Sequence, residues 1–263
     1  MRKIAVIPLL VLAACKGPPK AAPETIDNLF DFLFVHLDDG DDADMDKGAD
    51  LLVDWMDEHL DETKEGYKVD NLDQEGVDAL GEGEQDLSAL AGAAVGHESV
   101  NSVDALVGTT ATVSSVDLYQ YQSFERDYIG DVDAFLAHDD PRLDTEIHAT
   151  SSYAGLITVE THSQVQYRWA NSKNGPALFE RTWLLDPCTV TPEDIVSVDQ
   201  QYFLWGIVPN EDGSSRNVQV TWVVAQVFLD DMPEDTAINL MITSMAGMAK
   251  KLDTYIENEG AGE

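Results

Sequence analysis

The chain has 263 residues, and 50 Asp and Glu against 15 Lys and Arg give it a formal net charge of −35 at pH 7. That excess makes nucleic acid and anionic membrane surfaces poor partners, and favours cations, basic proteins or simple solubility in salty water. A hydrophobic content of 44% excludes wholesale disorder, so a real core is expected, in one large domain or two small ones.

At the N-terminus, Arg2 and Lys3 precede an apolar run from Ile4 to Leu12. The run is too short to span a bilayer, which takes about 20 residues, and it reads as a cleaved leader. Leu12-Ala13-Ala14-Cys15 resembles the lipobox of bacterial lipoproteins. The resemblance implies a signal peptide over residues 1–14, lipid on Cys15, and a membrane-anchored place in the bacterial cell envelope. Several acyl chains on one residue make such an anchor stable. Lys16 stands where some lipoproteins carry an inner-membrane retention Asp, which points to the outer membrane or cell surface. Residues 15–23 read as attachment site and tether. Acylation of Cys15 leaves Cys188 without a disulfide partner, as a small buried hydrophobe.

Residues 24–100 read as an acidic helical region. Between Glu24 and Asp104 lie 25 acidic residues and three lysines. Ile26, Leu29, Phe30, Leu33, Phe34 and Leu37 fall on one helical face, with Thr25 as N-cap. A second helix is predicted from about Ala49 to Leu60, with Leu52, Trp55, Met56, His59 and Leu60 on its stripe. Between these helices lie Asp42, Asp44 and Asp46, at the D-x-D-x-D spacing of a Ca²⁺ loop. Lys47 stands where such a loop needs Gly, and Gly48 and Asp54 each fall one place late. The candidate ligands are Asp42, Asp44, Asp46, Asp50 and Asp54, set against a plain solvated acidic loop. Residues 67–90 read as short helices or loop, and the chain is then small and Gly/Ala-rich from Ala91 to Val113.

Beyond about residue 146 the period becomes two. Strands are predicted at residues 157–169, 177–185, 195–208 and 218–229, with turn residues between the first two and after the third. A long amphipathic helix follows over residues 234–258, with Pro233, Glu234 and Asp235 as start signals. The expected fold is α+β: the acidic helical region, then an antiparallel meander sheet packed on a long C-terminal helix over residues 101–258, and a tail at residues 259–263.

That order of elements resembles the helix-grip fold of the START-like (SRPBCC) superfamily over roughly residues 101–258. The resemblance implies an apolar cavity between sheet and helix that takes a lipid or other hydrophobic ligand. Trp169, Trp183, Trp205 and Trp222, one on each of four strands, with Met241, Met245 and Met248 on the last helix, are the candidate lining residues. The alternative is that they simply fill the core.

Enzyme motifs are missing: there is no G-x-S-x-G, H-E-x-x-H or P-loop, and the six His show no metal-ligand spacing in sequence. The reading leans to a non-enzymatic envelope protein that binds a hydrophobic small molecule or contacts another envelope protein, with hydrolase or cyclase chemistry left open. The competing reading is a Ca²⁺-binding structural or adhesion module.

Overall fold

The computed structural model describes residues 20–21, 24–70, 72, 74–78, 80, 87, 90–153, 157–192, 196–227 and 234–260; the leader and Cys15 lie outside them.

The apolar stripe of the first acidic segment forms α1 (Glu24–Val35), preceded by the short β1 (Lys20–Ala21). Helix α2 runs over Asp42–Thr63, and so begins about two turns earlier than its apolar pattern suggests. The segment read as a Ca²⁺ loop is therefore the start of a helix. Asp41 is its N-cap, accepting from the Asp44 N–H at 2.8 Å, and Asp42 and Asp44 lie in the first turn, where the helix dipole favours negative charge. Carboxylates two apart on a helix do not face one another, as they do in a loop that wraps a cation.

The chain continues through β2 (Tyr67–Val69), α3 (Gln74–Asp78) and β3 (Ala91–Ser99). Next come α4 (Val103–Thr112), α5 (Ser115–Tyr119), β4 (Ser123–Ile129) and α6 (Val132–Leu136). The predicted meander follows as β5 (Arg142–Tyr153), β6 (Ile157–Ser172), β7 (Gly175–Leu184), the short β8 (Thr189–Thr191), β9 (Val196–Pro209) and β10 (Ser215–Val227). Helix α7 (Glu234–Gly260) closes the chain.

Among the described residues the strands form one sheet in the order β1-β2-β3-β10-β9-β7-β6-β5-β4, with β8 paired to β6. All pairings are antiparallel except that of β1 with β2. The fold is the expected α+β one, an antiparallel sheet packed on a long C-terminal helix, but the acidic N-terminal region is not helical alone: it adds β2 and β3 to that sheet, beside β1.

The sheet is covered on both faces, and this explains its sequence. On the outer face, α1 and α2 bury Leu33, Phe34, Leu52 and Met56 against Phe179, Leu204, Val220 and Trp222. On the inner face lie α4, α5, α6 and α7. Strand β3 is pressed from both sides, so small residues replace the usual alternation of polar and apolar ones. A Cβ on Gly96 would stand 2.4 Å from Thr63 Cγ2, and one on Gly206 would stand 2.7 Å from Leu52 Cδ2. These two missing side chains let α2 lie close on the sheet.

The acid of α2 also has a structural use. Arg168 and Arg181 rise from the outer face into the end of α1, which carries no basic residue in its last turn. Arg181 donates to Phe34 O at 2.7 Å and to Val35 O at 3.1 Å; Arg168 donates to Leu37 O at 2.9 Å and to Asp42 at 2.8 Å. The sheet thus supplies the cations and donors that the helix end lacks. Burial lowers the Arg181 guanidinium to about 10, with Asp38 and Asp144 opposing the shift. Further along α2, Asp46 accepts from Asn171 N at 2.6 Å and Asp50 from Lys173 N at 2.5 Å, while Asp54 pairs with the Lys173 ammonium and Asp57 with Arg216. Spacing of three or four residues puts these carboxylates on one helical face, aimed at the β6–β7 hairpin and β10.

Candidate ligand-binding face

Strand alternation decides which predicted site residues meet. Trp183 and Trp222 point to the outer face and pack among α1 and α2; the Trp222 indole N–H donates to Asp70 O at 2.8 Å. Trp169 and Trp205 point to the inner face, with Leu252 of α7. The four tryptophans therefore do not line one chamber. Trp169 donates to Phe135 O at 3.0 Å and stacks on His138 with centroids 4.0 Å apart. Trp205 donates to Asn217 Oδ1 at 3.1 Å. Met245 is buried against Ala93, Val95, Ile238 and Ile242, with Met241 and Met248 half-buried beside it. Two tryptophans and three methionines thus share the inner layer. The five carboxylates proposed for metal, Asp42, Asp44, Asp46, Asp50 and Asp54, all lie on α2, and Asp42, Asp46, Asp50 and Asp54 are engaged with the sheet as described above.

The inner layer also holds polar residues that the sequence reading passed over. One cross-strand row runs Leu143, Tyr167, Glu180, Trp205, Gln219, Val95 across β5, β6, β7, β9, β10 and β3. The neighbouring row contains Thr145, Thr182 and Thr221. Glu180 and Gln219 thus flank Trp205, both buried. Thr182 donates to Glu180 Oε1 at 3.2 Å, but Glu180 Oε2, Gln219 Oε1 and Thr145 Oγ1 have no hydrogen-bond partner among the described residues. A buried polar atom without a partner costs on the order of 1–3 kcal/mol, so three on one face of a core need a reason.

Burial pushes the Glu180 carboxyl up to about 7, against smaller lowering effects of Thr182 and Arg126. Arg126 cannot neutralise it fully, because its guanidinium is committed to the end of α4, donating to Ala111 O and to Thr110 O at 2.7 Å. The Tyr119 and Tyr167 hydroxyls are both held above the ordinary phenol range, chiefly by burial and then by Glu180. The arrangement is an apolar layer with buried polar groups on either side of Trp205 and one carboxyl raised to about 7. The only sequence signal for it is parity: Glu180 and Thr182 alternate with Phe179 and Trp183, so they had to face opposite the aromatics.

Helix α7 is pinned across this layer by Asp253. That carboxylate takes Asn101 Nδ2 at 3.1 Å, the Ser99 hydroxyl, and His97 Nε2 at 2.5 Å. Burial opposes ionisation, but these bonds hold Asp253 below the usual carboxylate range. Elsewhere, a polar notch of about 190 Å³ opens where β7 ends beside β9, lined by Leu184, Asp186, Gln200 and Tyr202 among others; it is not between sheet and α7. Cys188 is half-buried, and burial raises its thiol to about 11, which leaves it a poor nucleophile.

No protein-family model matches the chain. No curated protein matches it. Several solved structures are similar in fold. A STAR-related lipid transfer protein from Xanthomonas axonopodis is 11% identical, with 66% of this chain and 97% of that one covered and a TM-score of 0.42. A START superfamily protein from Mycobacterium smegmatis is 11% identical, covering 64% and 97% at 0.39. The human StarD13 lipid transfer and protein localization domain is 12% identical, covering 77% and 96% at 0.40. At these identities and scores the likeness carries no argument about ligand or role.

Proposed function

We propose that the chain is a lipid-anchored envelope protein, held by Cys15, that binds a hydrophobic small molecule or lipid between the inner sheet face and α7. The head of that molecule sits against Glu180 and Gln219, and its apolar body lies along Trp205, Phe203 and the methionines of α7. One observation carries the reading: a buried carboxyl and a buried amide, each with an oxygen that has no hydrogen-bond partner among the described residues, on the face where the adaptable Met side chains lie. An alcohol or amine donor is the complement of those oxygens.

The test is a titration of delipidated protein with a fluorescent long-chain alcohol and its matching alkane. One saturable equivalent of the alcohol is expected, with Trp emission quenched, and Glu180→Leu should weaken the alcohol about tenfold, the worth of about one buried hydrogen bond, while leaving the alkane unchanged. Absence of saturable binding, or equal affinity of the wild type for alcohol and alkane, overturns it. The anchor is tested separately: palmitate label should incorporate into the wild type and be lost in Cys15→Ser.

A further inference from the structure

We propose a transition-metal site on the outer face of the sheet, built from Glu146, His148 and His162. His148 and His162 are direct cross-strand partners in the β5–β6 ladder, and Glu146 lies two residues before His148, on the same face. The two imidazoles stack with centroids 4.0 Å apart and planes 15° apart. Their Nε2 atoms turn to one carboxylate oxygen: Glu146 Oε1 stands 2.5 Å from His162 Nε2 and 3.7 Å from His148 Nε2. One ligand atom from each of the three residues lies within 4.8 Å of the other two.

Two imidazole nitrogens and a carboxylate oxygen are the donor set of Zn²⁺, Co²⁺ or Ni²⁺, not of Ca²⁺ or Mg²⁺, which take oxygen alone. Metal–ligand bonds of about 2.0–2.1 Å put tetrahedral ligand atoms about 3.4 Å apart, which small side-chain rotations reach from the present spacing. His148 is exposed and the other two are half-buried, so a cation can enter and a fourth position stays open to water. A second observation supports the assignment. The far nitrogen of the central imidazole, His162 Nδ1, lies 3.0 Å from Asp186 Oδ2. A carboxylate on the non-ligating nitrogen fixes the tautomer that presents Nε2 as a lone pair, the usual outer support of a metal-binding His. Glu125 and Asp127 on β4 stand opposite His148 and Glu146 and add negative charge around the site. A purely structural Glu146–His162–Asp186 chain accounts for His162 but gives no role to the stacked His148.

The experiment is calorimetric titration of the full-length protein with Zn²⁺ in excess Mg²⁺, which occupies the generally acidic surface. One equivalent is expected to bind, weakened ten- to a hundredfold in His148→Ala and in His162→Gln, and Co²⁺ should give visible absorption bands of a four- or five-coordinate site. His148 is exposed, so His148→Ala should leave the metal-free melting temperature unchanged, which separates ligand loss from misfolding. Absence of Zn²⁺ binding, displacement by Mg²⁺, or an affinity unchanged by His148→Ala overturns the proposal.

Discussion

The two faces of this sheet carry buried charge of opposite sign. On the outer face, Arg168, Arg181 and Arg216 reach helix carbonyls or carboxylates of α1 and α2, and the acid of α2 is spent on docking the helix. On the inner face, Glu180 accepts from the Thr182 hydroxyl, and among the described residues its second oxygen and that of Gln219, its neighbour across Trp205, have no hydrogen-bond partner. The first pattern is that of a structural interface, in which charge complements the helix ends and fixes their position. The second is a buried acid and a buried amide set among apolar side chains; among the described residues unpartnered buried nitrogens occur on the outer face as well, at Arg168 Nε, Arg216 Nε and Trp183 Nε1. Asp42, Asp46, Asp50 and Asp54, which at first suggest a cation-binding loop, hold α2 on the sheet together with Asp57.

The largest effect is expected at the outer face. Gly96→Val should cost about 3 kcal/mol, seen as a lower denaturant midpoint, because its Cβ meets Thr63 Cβ at 2.9 Å as well as the methyl, and strand and helix must part. At the inner face the sign should reverse. A carboxyl raised from 4.5 to about 7 stays protonated in the fold where the unfolded chain has lost its proton, so its contribution to stability falls between pH 4.5 and 7 and stays low above that. The shift corresponds to at most about 3 kcal/mol, and Glu180→Gln should therefore gain about 2 kcal/mol at pH 8 and under about 1 at pH 5, read as the difference in unfolding free energy between the two pH values. Asp253→Asn should cost about 1.5 kcal/mol by loosening α7 from β3, with faster amide exchange along the helix, and the loss should shrink as pH falls through the depressed Asp253 value. The smallest effect is expected at Asp54→Asn, an exposed pair with Lys173, at under about 0.5 kcal/mol in thermal unfolding.

The legible parts of this fold are those buried on one face. The stripe from Ile26 to Phe34 and the alternation of β6 and β10 survive almost residue for residue in α1 and the strands, and Leu37 is buried in the turn after α1. Strand β3 was hidden because burial on both faces selects Ala and Gly, which look like loop. The start of α2 was hidden because the buried stripe of its first two turns, Met45, Gly48 and Ala49, is small and interleaved with acid that bonds Arg168 and Asn171 of the sheet. The inner face was half legible. The Met residues of α7 fall on its apolar stripe, and parity puts Glu180 opposite Phe179 and Trp183, but its neighbours Trp205 and Gln219 and the His148–His162 pair appear only once the register between strands is known.

Photo-crosslinking tests the central claim most directly. A long-chain alcohol with a diazirine in its tail, irradiated on the delipidated protein, should mark Met241, Met248 and Phe203 on the inner layer, and an excess of unlabelled alcohol should remove the marks. Adducts confined to α1 and α2, or adducts that unlabelled alcohol does not displace, would contradict the account.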